Sequence, residues 1–202
     1  MELSDLVADL RRAHAVHTVI LYGSRARGDA TPESDIDVAG FADIPDTVRD
    51  ARMWKGLFLD AFVHPTELAL TPDASLLKLL GGRVLLDERQ LGPATLARVT
   101  DLDRGGPPAL PDSELQVRRM WARKMVARAR RGDLEAQYRR HWLLFQLLED
   151  WFVLRGEWFR GPKQSFERLR LHAPDTLALF ERALVPDAPF EAIERLVDHV
   201  VG

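Results

Sequence analysis

Two acidic residues near the start of the chain have a spacing suited to binding a cation. Asp35 and Asp37 open the segment DIDVAGF, residues 35–41, and in an extended chain residues two positions apart point to the same side. Two close carboxylates repel each other and raise one pKa, so a pair held together calls for a divalent cation. Carboxylate oxygens are ligands that Mg²⁺ prefers. The spacing therefore predicts a magnesium site at Asp35 and Asp37.

A third carboxylate, Asp60, interrupts the apolar run LFLDAFV, residues 57–63. An ionised group in such a run is costly unless it has a partner. If the strand that carries Asp60 pairs beside the strand that begins at Asp35, the carboxylates form a cluster able to hold two metal ions. Such a cluster can activate an attacking hydroxyl and stabilise a leaving group. The alternative is a strand-edge aspartate that faces water.

Gly23 and Ser24 follow the apolar run HTVILY, residues 17–22, which predicts a strand that ends in a turn. Glycine permits a tight turn and a close approach of the backbone to a polyanion. Ser24 adds a hydroxyl donor, and the amides that follow it can face phosphate oxygens. The pair is therefore a candidate phosphate-binding turn.

Arg25 and Arg27 come directly after this turn. Their guanidinium groups could neutralise phosphate charge, since arginine binds phosphate oxygens through paired hydrogen bonds. Salt bridges to Asp29 or Glu33 are an equally good interpretation of the same residues.

Glu149 and Asp150 interrupt a second apolar stretch, WLLFQLLEDWF, at residues 142–152. One of them is a candidate general base for an acceptor hydroxyl, and Glu149 is the residue we assign to that role. The alternative is that both carboxylates pair within a helical bundle with one of three arginines, Arg139, Arg140 and Arg155.

Apolar periodicity indicates the elements that must position these residues. Strands are predicted at residues 17–22, 35–41, 55–63 and 83–86, and helices over a first segment ending near His14, over 46–54 and over 74–80. Strands separated by helices predict a small mixed β-sheet domain with flanking helices over residues 1–104, and thus an α+β fold class.

The segment GGPPALPD, residues 105–112, is too rich in glycine and proline for a helix or a strand and predicts a linker. Beyond it, long segments rich in helix formers predict an α-helical bundle domain over 113–202, with helices at 114–131, 134–154, 164–172, 175–184 and 189–200. The helix over 134–154 is predicted to be central because it is apolar on two faces. One face carries Leu134, Tyr138, Trp142, Phe145, Leu148 and Phe152, and the other carries Leu143, Leu144, Leu147 and Trp151.

Composition limits the class of protein. The 202 residues are 46% hydrophobic and contain no cysteine, which suits a globular chain in a reducing compartment. No apolar run is long enough to span a bilayer, and no signal pattern opens the chain, so we expect a cytoplasmic protein that does not bind membranes. The net charge of −3 argues against nucleic acid as a partner. The basic cluster between residues 118 and 131 then has a plainer interpretation as a solvated helix face.

The order Gly23-Ser24, ten residues, Asp35-x-Asp37 and then Asp60 resembles the nucleotidyltransferase superfamily. The accessory residues of minimal members are also present, as Ala26-Arg27-Gly28 and Ser34. The resemblance covers residues 1 to about 104. It implies a mixed sheet with flanking helices, a triphosphate held by the Gly23-Ser24 turn, and metal ions held by Asp35, Asp37 and Asp60.

A catalytic domain followed by a helical bundle also resembles the aminoglycoside and lincosamide nucleotidyltransferases of antibiotic resistance. The segment RGEWFRGPK, residues 155–163, supports this resemblance, because a helical-domain lysine of these relatives reaches the triphosphate. The resemblance therefore implies that Lys163 is a nucleotide-binding residue. An ordinary lysine at the start of a helix is the alternative.

These observations predict a magnesium-dependent enzyme, with two ions as one option, that transfers AMP from ATP to a hydroxyl of a small-molecule acceptor. Two other functions fit the same residues. One is protein AMPylation by an antitoxin-like nucleotidyltransferase, and the other is a non-catalytic module that binds nucleotide or nucleic acid. Related two-domain enzymes often build composite sites across a dimer, so the resemblance leaves a homodimer open.

Overall fold

The computed structural model describes residues 3–202, and the chain divides into two compact units, Met1–Gly105 and Gly106–Gly202. A mixed sheet with flanking helices in the first unit and a helical second unit confirm the predicted α+β fold class. The first unit contains, in chain order, α1 Leu3–His14, β1 Thr18–Tyr22, α2 Gly23–Arg27, β2 Ile36–Ala42, β3 Val48–Trp54, β4 Leu57–Pro65, α3 Thr66–Leu70, a 3₁₀ helix Ala74–Leu79, β5 Arg83–Asp87 and α4 Gly92–Gly105.

Within residues 3–202, five strands form one sheet in the order β3-β4-β2-β1-β5. The central strands β2 and β4 run parallel, and the other neighbouring strands are antiparallel. The strands predicted at 17–22, 35–41, 55–63 and 83–86 correspond to β1, β2, β4 and β5. The pairing of β2 with β4 fixes which side chains of the two strands lie together.

The two faces of the sheet differ in composition. One face is apolar and packs against α1, whose Leu6 and Leu10 lie in a buried cluster with residues such as Ile36, Val38 and Leu59. Since side chains alternate along a strand, the residues between these ones point to the opposite face. That opposite face carries Asp37 on β2 and Asp60 on β4.

The helix predicted over residues 46–54 is wrong, because Val48–Trp54 is the edge strand β3. A two-residue turn joins it to β4, with Trp54 paired to Leu57 and positive φ angles at Lys55 and Gly56, 48° and 83°. Turns with two positive φ angles match the twist of antiparallel strands. The Lys-Gly dipeptide was therefore the signal for a hairpin, which the helix-forming residues before it obscured.

The second unit consists of packed helices: α5 Asp112–Ala129, α6 Leu134–Val153, α7 Pro162–His172, α8 Pro174–Leu184 and α9 Phe190–Val201. Asp133 caps α6 by accepting a hydrogen bond of 2.8 Å from the amide of Ala136. Proline occupies the first position of α7 and of α8, where its missing amide hydrogen is not needed. The core includes Leu143, Leu147 and Phe152 of α6.

The prediction that α6 is buried on two faces is wrong for its first half. Leu134, Tyr138, Trp142 and Phe145 are exposed, with Leu134 88% accessible. Leu148 and Phe152, at the other end of the same stripe, are buried. The apolar periodicity of the sequence did not show which half of the stripe is covered by other helices.

None of the helices within residues 3–202 is both long and apolar enough to cross a bilayer.

Candidate active site

A row of polar side chains crosses the second face of the sheet. In the strand register, Tyr22 at the end of β1 is paired with Asp37 of β2, and Asp37 is paired with Asp60 of β4. Paired positions of neighbouring strands place their side chains on the same face. Asp35 lies two residues before Asp37, directly before β2, and is exposed. The strand pairing thus brings Asp37 and Asp60 side by side, with Asp35 at the end of the same strand.

Asp37 lies in an unfavourable electrostatic environment. Burial raises its pKa, and the negative charges of Asp35 and Asp60 raise it further. The positive charges of Arg27 and Lys78 oppose the shift. A carboxylate in this position favours any ligand that brings positive charge.

Gly23 lies directly against Asp37. Its φ of +69° is in the left-handed region, and a Cβ atom at this position would lie 2.2 Å from Oδ2 of Asp37. Only glycine fits there without displacing the carboxylate. Ser24 is in the short helix α2, and its carbonyl accepts hydrogen bonds from the amides of Gly28 and Asp29 at 2.9 and 3.1 Å. The close approach of Gly23 to Asp37 thus places the predicted Gly-Ser turn beside the Asp35-x-Asp37 motif.

Asp60 has a partner that the sequence did not reveal. Arg49 of β3 donates two hydrogen bonds to it, from Nε to Oδ1 at 2.7 Å and from Nη2 to Oδ2 at 3.0 Å. The side chain of Asp60 is 19% exposed, whereas that of Arg49 is 56% exposed. An ion pair with two hydrogen bonds thus stabilises the Asp60 carboxylate within the apolar run LFLDAFV.

A second cation, Lys78 of the 3₁₀ helix, lies near the same carboxylates. Its Nζ is 3.5 Å from the centre of the Phe62 ring and 5.5 Å from that of Tyr22. Burial lowers the pKa of Lys78, while the charges of Asp60 and Asp37 oppose that shift. Burial also raises the pKa of the Tyr22 phenol, and the two aspartates raise it further, so Tyr22 remains a neutral hydroxyl. Lys78 was not predicted as a site residue, although it interrupts the apolar run LLKLL in the same way that Asp60 interrupts its own apolar run.

The two arginines after the turn have different partners. Arg25 donates to the backbone carbonyls of Ser34 and Asp35, from Nε at 3.1 and 3.0 Å, and so fastens α2 to the segment that leads into β2. Arg27 pairs with Asp29 at 3.3 Å, as one of the two interpretations predicted. Its charge also acts on Asp37. Nucleotide binding by either arginine stays a prediction.

In the helical unit, Glu149 and Asp150 share one partner, Arg118 of α5. Arg118 Nη1 lies 3.2 Å from Glu149 and 2.7 Å from Asp150. Pairing within the bundle was one of the predicted alternatives, but with a different arginine. The role of Glu149 as general base stays a prediction. Lys163 is an exposed residue in the first turn of α7, and its nucleotide-binding role also stays a prediction.

The helical unit contains an apolar cavity of about 210 Å³. Phe159 is among the residues that line it, together with Phe145 and Phe166. The cavity is large enough for a small apolar group, and Arg140 and His141 add polar atoms to its lining.

The donor chemistry of the row fits a divalent cation. Asp35, Asp37 and Asp60 are hard oxygen donors, and the raised pKa of Asp37 reflects a concentration of negative charge that a cation would relieve. Within residues 3–202, however, no three acidic or histidine side chains converge closely enough to form a metal site as they stand. Both oxygens of Asp60 accept hydrogen bonds from Arg49 instead.

Comparison with known proteins finds a similarity within the first unit. Residues 3–73 match the model of the nucleotidyltransferase domain family. A solved structure of a nucleotidyltransferase-like protein from Exiguobacterium sibiricum 255-15 aligns with 98% of this chain and 73% of that one, at 13% sequence identity and a TM-score of 0.49. No curated protein matches the chain.

Proposed function

Because residues 3–73 match the nucleotidyltransferase domain, we propose that the protein transfers a nucleoside monophosphate, AMP from ATP, to a hydroxyl of a small-molecule acceptor. We assign this chemistry to residues 1–104, with 105–112 as a linker and 113–202 as a helical domain. The pairing of Asp37 with Asp60 on neighbouring parallel strands, with Gly23 packed against Asp37, is the observation that carries the proposal.

The reaction forms one bond and breaks one. The acceptor hydroxyl oxygen attacks the α-phosphorus of the triphosphate, the α–β phosphoanhydride bond breaks, and pyrophosphate leaves with the bonding electron pair. The hydroxyl proton passes to a base, for which Glu149 is the candidate from the sequence. The charge that develops on the phosphate oxygens must be compensated, since such transfers depend mainly on positioning and electrostatic stabilisation.

The residues of the first unit divide these tasks. Asp35, Asp37 and Asp60 would hold Mg²⁺, with two ions as one option, and bound Mg²⁺ supplies charge neutralisation at the phosphates and polarises the attacking oxygen. Gly23 lets the backbone approach the phosphates, and the hydroxyl of Ser24 donates to them. Arg25 keeps α2 attached to the segment before β2, so that the turn and the carboxylates stay in register.

A transfer assay tests this function. The protein is incubated with Mg²⁺, ATP labelled at the α-phosphate and a panel of hydroxylated acceptors, with GTP, CTP and UTP as competitors. We expect label on an acceptor with wild type and loss of at least about 100-fold with Asp35→Ala and with Asp37→Ala. Undiminished turnover in either variant would refute the assigned site. Label on a protein instead of a small molecule would favour the alternative of protein AMPylation.

A further inference from the structure

Arg49 and Asp60 form an ion pair that occupies part of the proposed cation site. Both oxygens of Asp60 accept from the Arg49 guanidinium, at 2.7 and 3.0 Å. A divalent cation would coordinate through lone pairs of these same oxygens. The two interactions therefore compete for one carboxylate.

The position of Arg49 allows the pair to open without unfolding. Arg49 lies on β3, at the edge of the sheet, and its side chain is more than half exposed. In the register it is opposite Phe62, and its guanidinium lies 5.2 Å from the centre of that ring. A rotation of an exposed side chain costs little compared with a change in the core, so Arg49 can leave Asp60 while the strand stays paired.

The charges around the row explain why such a partner is present. Asp35, Asp37 and Asp60 concentrate negative charge at one end of the sheet, and unpaired charges that are partly removed from water destabilise a fold. Arg49 compensates the charge of Asp60 through this ion pair. A cation that binds the cluster compensates the same charge and makes the arginine dispensable.

We propose that Arg49 is a displaceable counter-ion of Asp60: it holds this carboxylate in the ligand-free protein and lowers the affinity of the carboxylate cluster for divalent cations. It is a positioning residue, since it acts through Asp60. The inference rests on one part of the proposed function, the binding of a divalent cation by the carboxylates, and does not require that transfer occurs.

The test measures Mn²⁺ binding by calorimetry in the absence of nucleotide, with wild type, Arg49→Met and Arg49→Lys. We expect Arg49→Met to bind Mn²⁺ more tightly, on the order of tenfold, a typical size for coupled equilibria. Arg49→Lys keeps the charge but loses the paired hydrogen bonds, so its affinity should lie between those of the other two. Arg89→Met is the matched control, because Arg89 makes a similar two-bond pair with Asp43 outside the row.

The outcomes separate the two proposals. If wild type binds Mn²⁺, Asp37→Asn abolishes the binding, and Arg49→Met binds no more tightly than wild type, Arg49 does not compete and the inference is overturned while the cation site stands. An equal gain of affinity in Arg89→Met would overturn it as well, since the effect would then be one of net charge. If none of the variants binds Mn²⁺, the proposed cation site fails, and the inference fails with it.

Discussion

Asp37 of β2 and Asp60 of β4 are paired across two parallel strands, so that two carboxylates 23 positions apart in sequence lie side by side on one face of the sheet. Burial and the charges of Asp35 and Asp60 raise the pKa of Asp37. The fold thus maintains a repulsive arrangement that a bound cation would stabilise. Residues kept in a locally unfavourable environment are often functional.

The first prediction concerns the stability of an Asp37→Asn variant without ligand. Because the pKa of Asp37 is raised in the folded protein, its ionised form opposes folding above its ordinary pKa, and this effect disappears as the pH falls. The amide should therefore increase the free energy of unfolding at pH 7 by about 1 kcal/mol while abolishing transfer. Urea unfolding at pH 7 measures the first effect. A less stable variant would indicate that Asp37 is an ordinary structural residue.

A second prediction separates two glycines. Gly23 and Gly28 both have positive φ angles, +69° and +86°, but an added Cβ at Gly28 would meet no atom within 4 Å. Both alanine variants should lose about 1 kcal/mol of stability through backbone strain. Gly23→Ala should in addition displace Asp37 and reduce transfer by about 100-fold or more, with Gly28→Ala close to wild type. Equal activity of the two variants would contradict the contact between Gly23 and Asp37.

The third prediction concerns pH and His64, which is buried and 3% exposed. Burial first, and then the charge of Lys78, lowers the pKa of His64 to about 4 from its ordinary 6.5. Folding thus favours the neutral form of His64. Its contribution to the free energy of unfolding is complete above pH 6.5 and is lost as the pH falls towards 4. The loss is on the order of 3 kcal/mol, at about 1.4 kcal/mol per pKa unit.

Urea unfolding of wild type and His64→Phe between pH 4 and 8 measures this contribution. The variant should be less stable at pH 8, because the hydrogen bond between Thr47 and His64 is absent. Its disadvantage should shrink as the pH falls. A constant difference between the two proteins across this range would show that His64 does not titrate as described.

A fourth prediction concerns the buried ion pair of the helical unit. The side chain of Asp150 is 1% exposed, and Arg118 donates to it at 2.7 Å. Arg118→Met removes the positively charged partner of Asp150 and should lower the free energy of unfolding by about 3–5 kcal/mol. Arg139→Met removes the ion pair with the exposed Glu135 of the same helix, and the free energy of unfolding should fall by less than about 1 kcal/mol. Similar losses in both variants, measured by thermal unfolding, would contradict a special role for the buried pair.

The sequence was informative where a chemical motif coincided with a local pattern. The apolar runs before Gly23 and after Asp35 predict β1 and β2, and the interruption at Asp60 marks β4 and the need for a partner. The identity of that partner was hidden, because Arg49 lies in a segment whose residues favour a helix in isolation. Its strand forms through pairing with β4 at the edge of the sheet, a tertiary effect that propensity does not contain.

Lys78 illustrates a second limit. A lysine within an apolar run can face water or a charged site, and the choice depends on how the 3₁₀ helix lies over the sheet. The exposed half of the α6 stripe was missed for the same reason. Apolar periodicity shows on which face of a helix a side chain lies, but not whether another element covers that face.

Crystals grown with Mn²⁺ and a non-hydrolysable ATP analogue would show directly where a metal ion binds. We expect an anomalous peak about 2.1 Å from carboxylate oxygens of Asp35 and Asp37, a typical coordination distance, with the triphosphate beside Gly23 and Ser24. A triphosphate bound elsewhere, with no peak at these aspartates, would contradict the proposed cation site.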